Sequence, residues 1–360
     1  MNKKPLPYGI VPHEIGFLIL LGVAFYLSQP VLGPKPLPSA VFGVSMLAAV
    51  GVLIYRCREQ WAQLPNRWFF FSLAAAWVAL FVVLGNTTFN YLDSPSLLAW
   101  MFNIYTSPLL DEGHGLLIPF IVLVLYWWKR KELLAQPAGL WWPAIGLIVF
   151  ALLLHLLGYV SEQQRLSVIG FFLGLYGLTG LAWGKHWLKA SFFPYFLLVF
   201  CIPVADFSAP LTMPMRLLVS RIVEMVAHVG LAPDLIREGT QLFDAQHTFG
   251  YEVAAACSGI RSLVALLALT TIYGFMNFKS PWKRVVMMLV AAPLAVFGNV
   301  VRLCFTIAVA EAFGQKAGKS VETDFGFITF AVAVGCAFLV SRWLEKIPAA
   351  PALENKPVTP

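Results

Sequence analysis

Cys257 is the residue whose surroundings most invite chemistry. Two short β-prone pieces, Gly239-Thr240-Gln241-Leu242-Phe243 and Thr248 to Val253, precede it, and an apolar run opened by Ser258-Gly259-Ile260-Arg261-Ser262-Leu263 follows. A thiol placed where a hairpin ends and a helix begins lies near unpaired helix N-terminal amides, which favour an anion and raise the thiolate fraction. Ser258 suits an N-cap, Gly259 lets the backbone pass closely, and Arg261 at i+4 shares the face of Cys257. The alternative is a small apolar filler, since cysteine also packs as a hydrophobe.

Arg302 is the second such residue, in Asn299-Val300-Val301-Arg302-Leu303-Cys304-Phe305 within an otherwise apolar run. A guanidinium at the bilayer centre costs about 2.5–3.5 kcal/mol, so its presence asks for a reason. Counted from Arg284, it stands about 27 Å along a helix, in the outer leaflet at the depth expected for Cys257. Asn299 lies one turn below on the same face. An arginine snorkelling to the outer headgroups is the competing reading. Glu322 and Asp324, at the mouth of the last apolar run, could act as a base, orient Arg302, or simply cap a helix N-terminus. His114, in Asp111-Glu112-Gly113-His114-Gly115, and His247 are expected outside and able to approach the same pocket, whereas His155 is expected mid-span as a hydrogen-bonded packing residue.

The elements that must position these groups follow from composition. Of 360 residues only 12% are charged, while 59% are apolar and the mean hydropathy is +0.76. That excludes a soluble globular domain and, with 14% aromatic residues, a disordered chain. The net charge of +7 falls in short clusters between apolar runs, where it sets orientation and does not imply nucleic-acid binding. The five cysteines are far apart without metal-like spacing, so neither a disulfide framework, a metal nor a cofactor is expected.

Ten spans of sufficient apolarity are expected, at 15–33, 39–56, 69–86, 115–128, 142–160, 166–184, 190–206, 259–277, 285–310 and 325–343. The chain is thus expected to be an all-α polytopic membrane protein of about ten transmembrane helices. The first is expected to be retained, because no small-x-small cleavage site follows it. Most of the 25 basic residues, including Lys129-Arg130-Lys131 and Lys279, Lys283 and Arg284, fall on one side, which places both termini in the cytoplasm. Residues 86–115 are expected to rest at the outer surface. So is 207–256, where Arg216, Ser220, Glu224 and His228 recur at i, i+4 as a polar stripe on a helix that either lies in the interface or crosses with its stripe facing protein. A short outer-face hairpin then delivers the chain to Cys257. One membrane-embedded domain is expected over 1–347, with a flexible tail over 348–360.

Taken together, Ala256-Cys257-Ser258-Gly259-Ile260-Arg261-Ser262-Leu263, the Asn299-x-x-Arg302 pair and His114-Gly115-x-x-x-Pro119 resemble the exosortase/archaeosortase family of membrane-embedded cysteine transpeptidases, over about 114–330. The resemblance implies that Cys257 is the nucleophile and Arg302 the second catalytic residue. It also implies that the substrates are exported proteins with a C-terminal sorting signal made of a short motif, a transmembrane helix and a basic tail. Exosortases carry a third catalytic residue, a histidine four positions before a glycine; counting from Gly326, that position is Glu322 here. Glu322 or Asp324 would then substitute as base, His114 or His247 would serve, or the activity is altered. By the same resemblance Ser258, Gly259, Arg261, Asn299, Asp324 and His114 line the substrate pocket, at the outer face of a cytoplasmic (inner) membrane whose lipid surrounds the protein. A lipid-linked glycosyl or phosphoryl transferase and a transporter are the competing classes; the first would need more external charged residues, the second repeated halves.

Overall fold

The computed structural model describes residues 62–86, 94–107, 112–204, 209–230, 232, 234–243, 250–252, 260–324 and 326–347. The expected spans 15–33 and 39–56, the tail 348–360, and Cys257, Ser258, Gly259 and His247 lie outside them. Arg261, Glu322 and Asp324 are described as helical backbone only. The described chain forms twelve α-helices: α1 (Arg67–Leu84), α2 (Leu97–Thr106), α3 (His114–Trp128), α4 (Arg130–Leu134), α5 (Ala144–Val160), α6 (Gln164–Trp183), α7 (Lys185–Phe196), α8 (Ala209–His228), α9 (Ile260–Asn277), α10 (Pro281–Phe313), α11 (Gln315–Asp324) and α12 (Gly326–Lys346). Three of them, α1, α6 and α10, are both long and apolar enough to cross a membrane, and α2, α3, α5 and Leu263–Asn277 of α9 are shorter apolar helices. The chain divides into two compact units, 1–98 with 119–198, and 99–118 with 199–360.

The first unit is organised by α5 and α6, which pack closely because glycines remove side chains from their contact. A Cβ at Gly170 would stand 2.7 Å from the Ala151 carbonyl, and one at Gly174 would meet the Trp77 ring of α1. Close backbone approach through small residues is how apolar helices gain packing where no hydrophobic drive separates them from lipid. Trp77 Nε1 donates to the Phe171 carbonyl at 3.0 Å, and His155 Nδ1 shares a 3.0 Å hydrogen bond with Ser167 Oγ. His155 also lies against the Phe81 ring, which is the packing role expected of it.

The span expected at 190–206 is different in the structure. α7 starts at Lys185, ends at Phe196 and tightens into a 3₁₀ turn over Leu197–Cys201. Lys185, His186 and Lys189 are exposed, so a helix can carry them although they interrupt the apolar run. The basic clusters also make structural hydrogen bonds. Lys129 Nζ donates to the Ala190 carbonyl at 2.7 Å, Lys283 Nζ to Ile347 and Arg284 Nε to Phe278, each also at 2.7 Å. The last two satisfy carbonyls just past the ends of α12 and α9 and complement the negative end of each helix dipole.

The second unit is built on α10, against which α8, α9, α11 and α12 pack. Ser280 in extended conformation with Pro281 at the first position starts it, and Gly314 at φ 86° stops it. At 33 residues it spans about 50 Å, longer than the ~30 Å hydrocarbon core. The expected 285–310 was cut short because Pro281, Lys283 and Glu311 flank the apolar stretch without breaking the helix.

After Gly314 the chain folds back as α11, a polar helix not expected from hydropathy, because no apolar run marks it. The expected hairpin is present but shifted. Its strands are β1 (Ile236–Glu238), β2 (Gln241–Phe243) and β3 (Gly250–Glu252), antiparallel in the order β1-β2-β3. Gly239-Thr240, expected within a strand, forms the β1–β2 turn instead, with Gly239 at φ 64° where a side chain would be strained.

Candidate active site

Arg302 sits in α10 eleven residues before its end, so the helix continues well past it and Arg302 is not a terminal residue. Its Nε and Nη2 are buried without a hydrogen-bond partner among the described residues. Asn299 Nδ2 and Thr306 Oγ1 are in the same condition, in residues that are 6% and 0% exposed. At 100° per residue these three side chains fall within an arc of about 60°. Each such buried, unsatisfied group costs about 1–3 kcal/mol, which makes a row of three on one helix face a feature to be explained.

The neighbours on that face are identified by packing. Ala295, on the same arc, and Ala291, just beyond its edge, cluster with Leu266 of α9 and Ala333 of α12. α9 runs antiparallel to α10, since a Cβ at Gly274 would meet Met287 at 3.3 Å while Leu266 meets Ala291 and Ala295. Followed at that register, Ile260, the first residue of α9, reaches the level of Val300 to Arg302. α12 is antiparallel as well, with Leu344 beside Met287 and Ala333 beside Ala291 and Ala295, so Gly326 reaches the same level. Two helix N-termini, whose amides carry partial positive charge, therefore begin at the height of the unpaired guanidinium.

Glu322 and Asp324 belong to the last turn of α11, which folds back along α10 from Gly314. Both precede Gly326, the first residue of α12. Asn299 shares the Arg302 face as expected. Arg261 is in the first turn of α9, and Cys257 precedes that helix by three residues.

The polar stripe of α8 is used by the sheet. Ser220 Oγ donates to the Gly239 carbonyl at 3.0 Å, Glu224 Oε2 accepts from Arg237 Nε at 2.7 Å, and His228 Nε2 lies 2.9 Å from the Leu235 carbonyl. Ser220, Glu224 and His228 of the stripe thus face protein. The apolar face of α8, Val219, Val223 and Ala227, packs with Leu242 of β2 and with Leu303, Ile307 and Ala310 of α10. β3, the strand that leads toward Cys257, is carried on this platform through β2.

His114 lies at the start of α3, its Nε2 3.5 Å from Glu112 Oε2. Glu112 is 2% exposed, and its Oε1 accepts from the Val204 amide at 2.7 Å. Tyr105 donates to the Cys201 carbonyl, and Cys201 Sγ donates to Gly115 at 3.7 Å. These bonds stitch 105–115 to 201–204. The described contact of His114 is with this cluster. Glu112 and Thr306 were missed in the sequence: Glu112 stands in a loop-like acidic pair, and a threonine in an apolar helix gives no signal of being unsatisfied. Among the described residues no three His, Cys, Asp or Glu side chains assemble as metal ligands.

Long apolar helices, one of them carrying the half-buried Arg302, define a membrane protein. Over residues 110–339 the chain matches the family model described as Transmembrane exosortase (Exosortase_EpsH), and it belongs to that family. Neither a curated protein nor a solved structure matches it.

Proposed function

We propose that this protein is a membrane-embedded cysteine protease or transpeptidase that cleaves the C-terminal sorting signal of exported proteins at the outer face of the cytoplasmic membrane. The observation that supports this reading is the unpaired Arg302 guanidinium at the level where α9 begins, three residues after Cys257. In the proposed reaction the Cys257 thiolate attacks the scissile carbonyl, and Arg302 stabilises the developing oxyanion by a charge-assisted hydrogen bond in a low-dielectric setting. The C–N bond breaks, the departing amine takes a proton, and the thioester acyl group passes to water or to an acceptor amine. Glu322, in the turn of α11 that leads into α12, is proposed as the proton donor to the amine, with Asp324, His114 or His247 as the alternatives. Ser258, Gly259, Arg261 and Asn299 are proposed to line the pocket.

The test is co-expression of the protein with an exported protein of the same genome that ends in an apolar helix and a basic tail. Cys257→Ala is expected to abolish removal of the tail, read by mass spectrometry of the mature C-terminus. Unchanged processing would overturn the proposal.

A further inference from the structure

We infer that Thr306 is a substrate-binding residue, the outer member of a row of buried donors that reads successive backbone carbonyls of an extended peptide. This rests on the function proposed above and extends it to a residue outside the Cys257 and Arg302 motifs. The unpaired atoms on this arc are Asn299 Nδ2, Arg302 Nε and Nη2, and the Thr306 hydroxyl, and each can donate a hydrogen bond. A site made of donors calls for acceptors, and peptide carbonyl oxygens are the acceptors a sorting segment brings. The spacing agrees. Arg302 and Thr306 are separated by about 6 Å along the helix axis, and carbonyls on one edge of an extended chain recur at about 6.7 Å. With Arg302 on the scissile carbonyl, Thr306 meets the carbonyl two residues away, and Asn299, one turn on the other side, joins Arg302.

Thr306 is fully buried, yet its hydroxyl does not take the usual bond to a carbonyl of the preceding turn. Thr270 and Thr271 of α9 both do, at 2.8 and 2.6 Å. A hydroxyl kept unpaired in the free protein lowers its stability, so removing it has opposite effects on folding and on binding.

The experiment uses the full-length protein in detergent, a synthetic peptide comprising the sorting segment, apolar helix and basic tail of an exported protein, and the variants Thr306→Val, Thr306→Ser and Cys257→Ala. For Thr306→Val the expected result is a KM raised about fivefold, kcat within twofold of the parent, and a melting temperature equal to or above the parent's. Thr306→Ser is expected to keep the parental KM. An unchanged KM in Thr306→Val, an equal rise in Thr306→Ser, or a Thr306→Val protein that melts lower or fails to accumulate overturns the inference, the last because it reveals a structural bond. Cleavage that persists in Cys257→Ala instead overturns the proposed reaction, and with it the role given to Thr306.

Discussion

The α5–α6 pair and the C-terminal half of α10 are both helical, apolar and closely packed, yet they treat buried polar groups in opposite ways. Between α5 and α6, His155 pairs with Ser167, and the neighbouring Trp77 reaches a backbone carbonyl. Along α10, Asn299, Arg302 and Thr306 have donors without a partner among the described residues. Satisfied groups lock a packing arrangement, whereas unsatisfied ones hold free energy that a bound molecule can recover. The difference distinguishes these two stretches without reference to which residues are chemically reactive.

Three substitutions would break or sharpen that contrast. The largest effect is expected from Arg302→Ala, which should lower kcat by roughly a hundredfold to a thousandfold while leaving the melting temperature unchanged or raised. A large drop in melting temperature would place Arg302 among the scaffold residues. Gly170→Val should do the reverse, because its side chain would run into the Ala151 carbonyl; destabilisation of about 1–3 kcal/mol is expected in thermal unfolding, with kcat per folded molecule preserved. The smallest effect is expected from Ser167→Ala, which strands the His155 ring nitrogen at a cost of about 1 kcal/mol and leaves processing intact. Should Ser167→Ala impair cleavage and not stability, the division between the two regions would fail.

Much of this architecture was legible in the residues. The apolar runs at 142–160, 166–184 and 325–343 became α5, α6 and α12 within a few residues, because a helix that must bury or shield its backbone in an apolar medium has little choice of structure. The α8 stripe was legible as a polar row at i, i+4, but not its purpose, since β1 is only three residues long and carries no periodicity of its own. α11 escaped for the related reason that hydropathy marks what lipid or core covers, and this helix is polar.

The sequence by itself determined that the chain is a membrane protein of the exosortase family, that its charges are scarce, and that Arg302 is the charge within a span that orientation leaves unexplained. Those are consequences of composition and short motifs, which act locally. Only the tertiary structure decided that α9 and α12 both begin at the height of Arg302, that Glu322 falls in a returning helix, and that Thr306 completes a row with Asn299. Antiparallel register between helices depends on how small residues such as Gly274, Ala291 and Ala295 let the backbones approach, and that fit exists only once the helices are packed.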